Sequence, residues 1–232
     1  MIPDRSTFEA MYAGQAPWDI GKPQKPFIDV ADRITGSVLD AGCGTGDTAL
    51  FLAERGCKVT GIDFIEEAIN RARRKAAERG LPVTFLVKDA LTLKDWSEQF
   101  DNVIDSGLFH VYNDEDRRRS VEGLATVLRP GGRLFLGCFS DEESGTQGPR
   151  RVSKAELYAA FTEGWNIESV EPTRAECRPS WRNCAYCVRE KWPLGKKLSV
   201  LKMLVNLVSI LTLFQAKTWI LEKILRDVKP LW

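Results

Sequence analysis

Apolar residues come in short blocks separated by polar, glycine-punctuated stretches. Val38-Leu39, Val59 to Ile62, Phe85 to Val87, Val103-Ile104 and Leu134 to Leu136 are too short for helices and are bounded by turn residues. They read as buried strands over 37–41, 57–62, 83–88, 101–106 and 133–139. The segments between them carry helical patterns. One helix is expected over 47–55 with Gly56 as its stop, and another over 65–79 closed by Gly80. The second places Glu66 and Glu67 first and Arg71, Arg73, Arg74 and Lys75 later, in accord with its dipole. A helix over 114–128 is expected to stop at Pro130, and Ser153-Lys-Ala-Glu156 is a capping box opening another to about Phe161. A sixth strand is read at 165–170. Strands alternating with helices predict an α/β, doubly wound, mostly parallel sheet with helices on both faces.

The chain ends break this rhythm. Residues 1–30 are polar, with Pro17, Pro23 and Pro26, and read as a short helix followed by an extended leader. Residues 198–214 are mostly apolar, and Ser199, Lys202, Asn206, Ser209 and Thr212 fall on one stripe, as in an amphipathic helix with a wide greasy face. Such a helix suits burial on the domain, self-association with a second copy, or peripheral contact with a membrane surface. A true span is disfavoured by its length and by Lys202 and Asn206 mid-run. The expected domains are a leader or lid (1–30), a main domain (31–192) and a helical extension (193–232).

Composition narrows the field. With 33 Lys+Arg against 32 Asp+Glu the chain has no electrostatic case for nucleic acid. The Arg117-Arg118-Arg119 run reads as a solvated helix face. No secretory leader opens the chain, so a cytoplasmic location and reduced thiols are expected, with Cys43 and Cys138 as small core residues. Cys184-Ala-Tyr-Cys187 is an isolated pair in a chain with one histidine, so no metal site is expected.

The chemistry gathers at Val38-Leu-Asp-Ala-Gly-Cys-Gly-Thr-Gly46, followed one helix later by Val59-Thr-Gly-Ile-Asp63. Gly42, Gly44 and Gly46 permit a sharp turn and close approach of a ligand. Free amides at the helix start face a carboxylate or phosphate. Asp63 suits a pair of ribose hydroxyls. Gly44-x-Gly46-x-x-Ala49 also satisfies the dinucleotide pattern, so a nicotinamide or flavin enzyme is the first rival. Asp40 argues against it, because a carboxylate before the glycines repels a pyrophosphate and welcomes an ammonium or sulfonium.

Asp40-x-Gly-x-Gly-x-Gly46, Gly61-Ile-Asp63, Lys88-Asp-Ala90, Phe100 to Asp105 and Leu128-Arg-Pro-Gly-Gly132, in that order, resemble class I S-adenosylmethionine-dependent methyltransferases over roughly 17–175. The leader Ala16-Pro-Trp-Asp-Ile-Gly-Lys-Pro-Gln24 resembles the thiopurine, thiol and halide branch and related bacterial small-molecule methyltransferases. The resemblance implies S-adenosyl-L-methionine as cofactor and a small-molecule methyl acceptor. It also implies a seventh, antiparallel strand, for which 184–190 fits better than 216–221. By motif position, Asp40 and the Gly42–Gly46 loop hold the methionine portion, Asp63 the ribose, Phe64 lies beside the adenine, and Asp89 and Ala90 read its edge. Asp105 lies near the sulfonium. Trp18 covers the sulfonium by cation–π attraction or staples the leader to the sheet.

His110, just beyond the fourth strand, is a possible base or orienter, or a wall residue. Tyr12 and Tyr112 are candidate lining residues. Arg150 and Arg151 form either an anion clamp or a surface pair. The leading expectation is methyl transfer to a thiol or other soft sulfur acceptor. The alternatives are an O- or N-methyltransferase of a small phenol- or quinol-like aromatic, and a membrane-associated cofactor-binding scaffold without catalysis.

Overall fold

The computed structural model describes residues 4–143 and 148–178 and the backbone of 184–192. Five parallel strands form the sheet's core: β1 (Ser37–Ala41), β2 (Lys58–Asp63), β3 (Thr84–Val87), β4 (Phe100–Ser106) and β5 (Leu128–Phe139). Their order is β3-β2-β1-β4-β5. The chain runs outward from β1 to β3, then returns to lay β4 on β1's other side. This reversal opens a crevice beyond the carboxyl ends of β1 and β4. Register brings the chemistry to that edge: Ala41 lies opposite Ile62 on one side and Asp105 on the other.

The short apolar blocks are explained by coverage of both faces. Leu39, Val103, Leu134 and Leu136 face one layer, with Val121 and Leu124 of helix α5 (Asp114–Val127). Val38, Val59, Ile104 and Phe135 face the other. There they meet Leu50 of α3 (Asp47–Glu54), Ile69 and Ala72 of α4 (Glu66–Arg79) and Phe27 of the short α2 (Lys25–Asp29). The leader begins with α1 (Arg5–Ala13), capped by Asp4, whose side chain accepts from the Thr7 amide. Its Tyr12 packs in a separate cluster with Ala16, Ile65 and Ala68. The capping box forms as read, with Ser153 and Glu156 reciprocally bonded at the start of α6 (Lys154–Ala160).

Two boundaries differ from expectation. α5 ends at Val127, because Leu128 is already extended and pairs with Phe100. Pro130-Gly131-Gly132 is therefore not the helix stop. It lies inside β5, where the register shifts between Phe100 and Asn102. The sixth strand, β6 (Asn166–Ala175), runs to 175 rather than 170 because it has an antiparallel partner, β7 (Cys184–Trp192), which also pairs antiparallel with β5. The 198–214 helix and the rival strand at 216–221 lie outside the described residues. Among the described residues no helix is long and apolar enough to cross a membrane.

Candidate active site

Three carboxylates are buried where β1, β2 and β4 end: Asp40, Asp63 and Asp105. Burial is the first cause raising each of them, to about 7 for Asp40, about 6 for Asp63 and about 7 for Asp105. Asp105 and then Asp63 add repulsion at Asp40. Their partners differ. Asp63 accepts from the Gly44 amide at 3.0 Å and the Ile65 amide at 2.9 Å, which ties the glycine loop to the end of β2. Asp105 accepts from the amides of Leu108 at 2.7 Å and Phe109 at 3.2 Å, and so shapes the turn that carries His110. Neither oxygen of Asp40 has a hydrogen-bond partner among the described residues. The Ala49 amide lies near enough to ease its charge without reaching hydrogen-bond geometry. A buried carboxylate with both oxygens orphaned is costly, and a cationic ligand is what resolves it.

The glycine loop is shaped for close approach. Gly44 has φ +54°, and a Cβ there would lie 2.8 Å from the Tyr12 hydroxyl. At Gly46 (φ +82°) it would lie 2.7 Å from Phe85. Gly46 opens α3 without a side-chain cap, leaving the first amides of that helix available.

The leader is drawn over this loop. Tyr12 accepts the Trp18 indole N–H at 3.0 Å, and their rings meet edge-on at 5.9 Å. Asp19 accepts from Thr45 of the loop at 2.8 Å. Lys75 donates to both Thr45 and Asp47 at 2.8 Å. Further along, Arg178 donates to the Asp19 carbonyl at 2.7 Å, and Gln24 exchanges two 2.8 Å bonds with the Glu176 backbone. Phe64 packs edge-on against Phe8 at 5.6 Å and lies under Arg5. Asp89 is exposed, with one oxygen bonded to the Leu91 amide at 2.9 Å, while Ala90 is buried. The Asp19–Thr45–Lys75 chain was not assigned from sequence. Its signal was the acid directly after Trp18 in the leader.

On the far side of the crevice His110 is buried and stacks on Phe139 at 4.8 Å. Its Nδ1 accepts the Phe139 amide at 3.0 Å. Burial, then Arg117 and Arg151, lowers its pKa to about 3. At neutral pH the ring is therefore uncharged, with its proton on Nε2. Arg151 lies over the other ring of that stack, Phe139, at 5.4 Å. Tyr112 is half-buried, and burial with the charges of Asp105 and Asp89 keeps its phenol protonated. Arg150 pairs with Asp114 and Glu156. Arg117 corrects the reading of the basic run as a solvated face, because its side chain is only 6% exposed. The signal was available: 117, 121 and 124 fall on one helical stripe, and the other two positions are Val and Leu.

The residues present fit S-adenosylmethionine. Its sulfonium and ammonium would answer the buried Asp105 and Asp40, its ribose hydroxyls Asp63, and the glycine loop with the open end of α3 suits its carboxylate. A pyrophosphate would face Asp40 with like charge. When bound, the cofactor supplies an electrophilic methyl group.

Fold and site thus define an open α/β protein that holds a cationic nucleoside cofactor at its topological switch. A methyltransferase-domain family model matches residues 38–132. The chain is 36% identical over 180 residues to the 2-heptyl-1-hydroxyquinolin-4(1H)-one methyltransferase of Mycobacteroides abscessus, covering 72% of this chain and 79% of that protein. It is 30% identical over 151 residues to probable thiol methyltransferase 2 of Arabidopsis thaliana, covering 62% and 66%. It superimposes with a TM-score of 0.73 and 32% identity on a solved structure that describes conversion of a disulfide bond into a thioacetal group during echinomycin biosynthesis, covering 92% and 97%. The chain belongs to the class I S-adenosylmethionine-dependent methyltransferases. It is an enzyme with S-adenosylmethionine as its cofactor, which sets aside both the nicotinamide reading and the non-catalytic scaffold.

Proposed function

We propose that this enzyme methylates a small molecule that ionises by itself near neutral pH, with a thiol or related soft sulfur nucleophile as the leading class. The carrying observation is His110. Its Nδ1 is committed to the Phe139 amide and burial keeps the ring uncharged, so the ring does not serve to take an acceptor's proton. A thiolate needs no such base. Methyl transfer to it requires alignment and exclusion of water, which a closed leader supplies. A second reading, O- or N-methylation of a small phenol- or quinol-like aromatic, is favoured by the likeness to a hydroxyquinolone methyltransferase. The test is turnover with S-adenosylmethionine on matched aryl thiols, hydroxyquinolones and phenols. The leading reading expects the thiol to be preferred at pH 7.5. Preference for the hydroxyquinolone selects the second, and turnover confined to unionised alcohols or amines contradicts both.

In the proposed site Asp40 and the Gly42-x-Gly44-x-Gly46 loop take the methionine portion and Asp63 the ribose. Phe64, Asp89 and Ala90 border the adenine. Trp18 closes over the cofactor with Tyr12 beneath it, which moves Tyr12 from the acceptor side to the cofactor side. Asp105 stands near the sulfonium and sets the His110 turn. His110, Tyr112 and Arg151 border the acceptor. The proposed organisation is a leader (1–30), a catalytic domain (31–192) whose sheet β7 and β6 complete to seven strands, and a helical extension (193–232), in a cytoplasmic enzyme. Docking of 198–214 on the domain, a second copy or a membrane surface is read by deleting 193–232 and following mass and liposome flotation.

A further inference from the structure

Arg117 comes from the first turn of α5, yet its side chain is only 6% exposed. Its Nε donates to the Phe109 carbonyl at 3.2 Å, and its guanidinium lies over the Phe109 ring at 4.8 Å. Nη1 reaches Glu156 at 3.4 Å, but Nη2 is buried with no hydrogen-bond partner among the described residues. The Arg151 guanidinium lies over the Phe139 ring at 5.4 Å. His110 is stacked on that same Phe139 ring and accepts its amide. Both guanidiniums bear on His110 closely enough to depress its basicity.

The crevice is therefore divided by charge. Asp40, Asp63 and Asp105 make one side acidic, where β1, β2 and β4 end. Arg117 and Arg151, which both bear on the uncharged His110 ring, place positive charge on its side. The remaining charges nearby are Glu156 and Asp114, engaged by Arg150, while the Tyr112 phenol stays protonated and neutral. Resting on the methyl-acceptor reading above, we propose that Arg117 and Arg151 form a cationic wall that binds the acceptor as its anion, an aryl thiolate or equally acidic hydroxylate, with its proton released to water on binding. The lone pair freed from the S–H or O–H bond is the nucleophile, so no protein base is consumed. The wall favours ground-state negative charge, which fades as the methyl group is received. Its loss therefore weakens acceptor binding more than it slows the bound complex.

The test is spectrophotometric and independent of turnover. Thiophenol, which ionises near neutral pH, is titrated with pH on the full-length enzyme loaded with S-adenosylhomocysteine, reading the thiolate's ultraviolet absorption against the loaded enzyme alone, and thioanisole serves as the neutral comparator. The expected result is a bound thiol pKa lowered by roughly one unit, equal to about tenfold preference for the anion. Arg117→Met and Arg151→Met should each remove most of that shift. Each should also raise KM for aryl thiols about tenfold, leave kcat within roughly threefold, and leave binding of the thioanisole unchanged. Arg117→Lys should restore part of the shift. If Arg117→Met no longer binds S-adenosylhomocysteine, Arg151→Met and Arg117→Lys carry the test. An unshifted thiol pKa on the wild-type enzyme overturns the proposal, as does a shift surviving in Arg151→Met. If the shift is present but no thiol or hydroxylate is methylated, the acceptor reading falls and the anion wall stands.

Discussion

Replacing Asp40 with asparagine should stabilise the cofactor-free enzyme while abolishing cofactor binding. Asp40 is 1% exposed, and its carboxyl is pushed from 3.8 to about 7, first by burial and then by Asp105 and Asp63. At about 1.4 kcal/mol per pKa unit, ionising it inside the folded chain costs on the order of 4 kcal/mol. The unfolded chain releases this proton near the ordinary value and the folded chain only near 7. Stability is therefore lost progressively as pH rises between the two, and the full penalty is present above the upper one. Asparagine removes the charge but leaves buried polar atoms unpaired, at a cost of roughly 1–3 kcal/mol. The net gain at pH 8 is then about 1–3 kcal/mol, or roughly 2–6 °C in Tm for a chain of this size. At pH 5, where the folded wild type already carries a neutral carboxyl, the gain should shrink to near zero. Thermal melts at both pH values, with and without S-adenosylhomocysteine, measure this. The ligand should raise Tm of the wild type and not of Asp40→Asn. A variant less stable than wild type at pH 8, an equal gain at both pH values, or a variant still stabilised by ligand would refute the reasoning.

Three further outcomes are expected. Asp63→Ala frees the Gly44 and Ile65 amides and should weaken S-adenosylhomocysteine binding at least about 100-fold by calorimetry, the size expected when a charge-assisted pair of bonds is lost. Retained affinity would remove Asp63 from the site. Gly44→Ala places a Cβ 2.8 Å from the Tyr12 hydroxyl at φ +54°, so it should cost about 1–2 kcal/mol from backbone strain alone. A double-mutant cycle with Tyr12→Phe should recover the steric part, and strict additivity would mean the two do not meet. His110→Gln should lower kcat/KM for an aryl thiol by less than about tenfold, whereas loss of a true general base costs roughly 10²–10⁴. A loss in that larger range, with a changed pH–rate profile, would restore the histidine as base.

The sheet was legible where local pattern decides it. β1 to β4 fall within a residue or two of their apolar blocks because both faces are covered and glycines punctuate the ends. Boundaries set by distant pairing were not. Leu128 leaves α5 because Phe100 lies opposite it, and β6 extends to Ala175 because Cys184–Trp192 lies beside it. Neither partner is visible from a local window. The same holds in the site. Asp40, Asp63 and the glycines announced themselves by spacing, but the tautomer of His110 is fixed by an amide 29 residues away. Arg117 was obscured by its two basic neighbours, although its helical register with Val121 and Leu124 marked it as inward-facing.

The most direct test of the account is a calorimetric titration of S-adenosylhomocysteine into the full-length enzyme at pH 6 and pH 8, each in two buffers of different ionisation enthalpy. A site whose buried carboxylates hold protons, the orphaned Asp40 among them, must expel protons to accept the ligand's ammonium group. The account predicts tighter binding at pH 8, by about tenfold for each group held protonated at the lower pH, with net proton release on binding at pH 6. Affinity independent of pH and heat independent of buffer would contradict it.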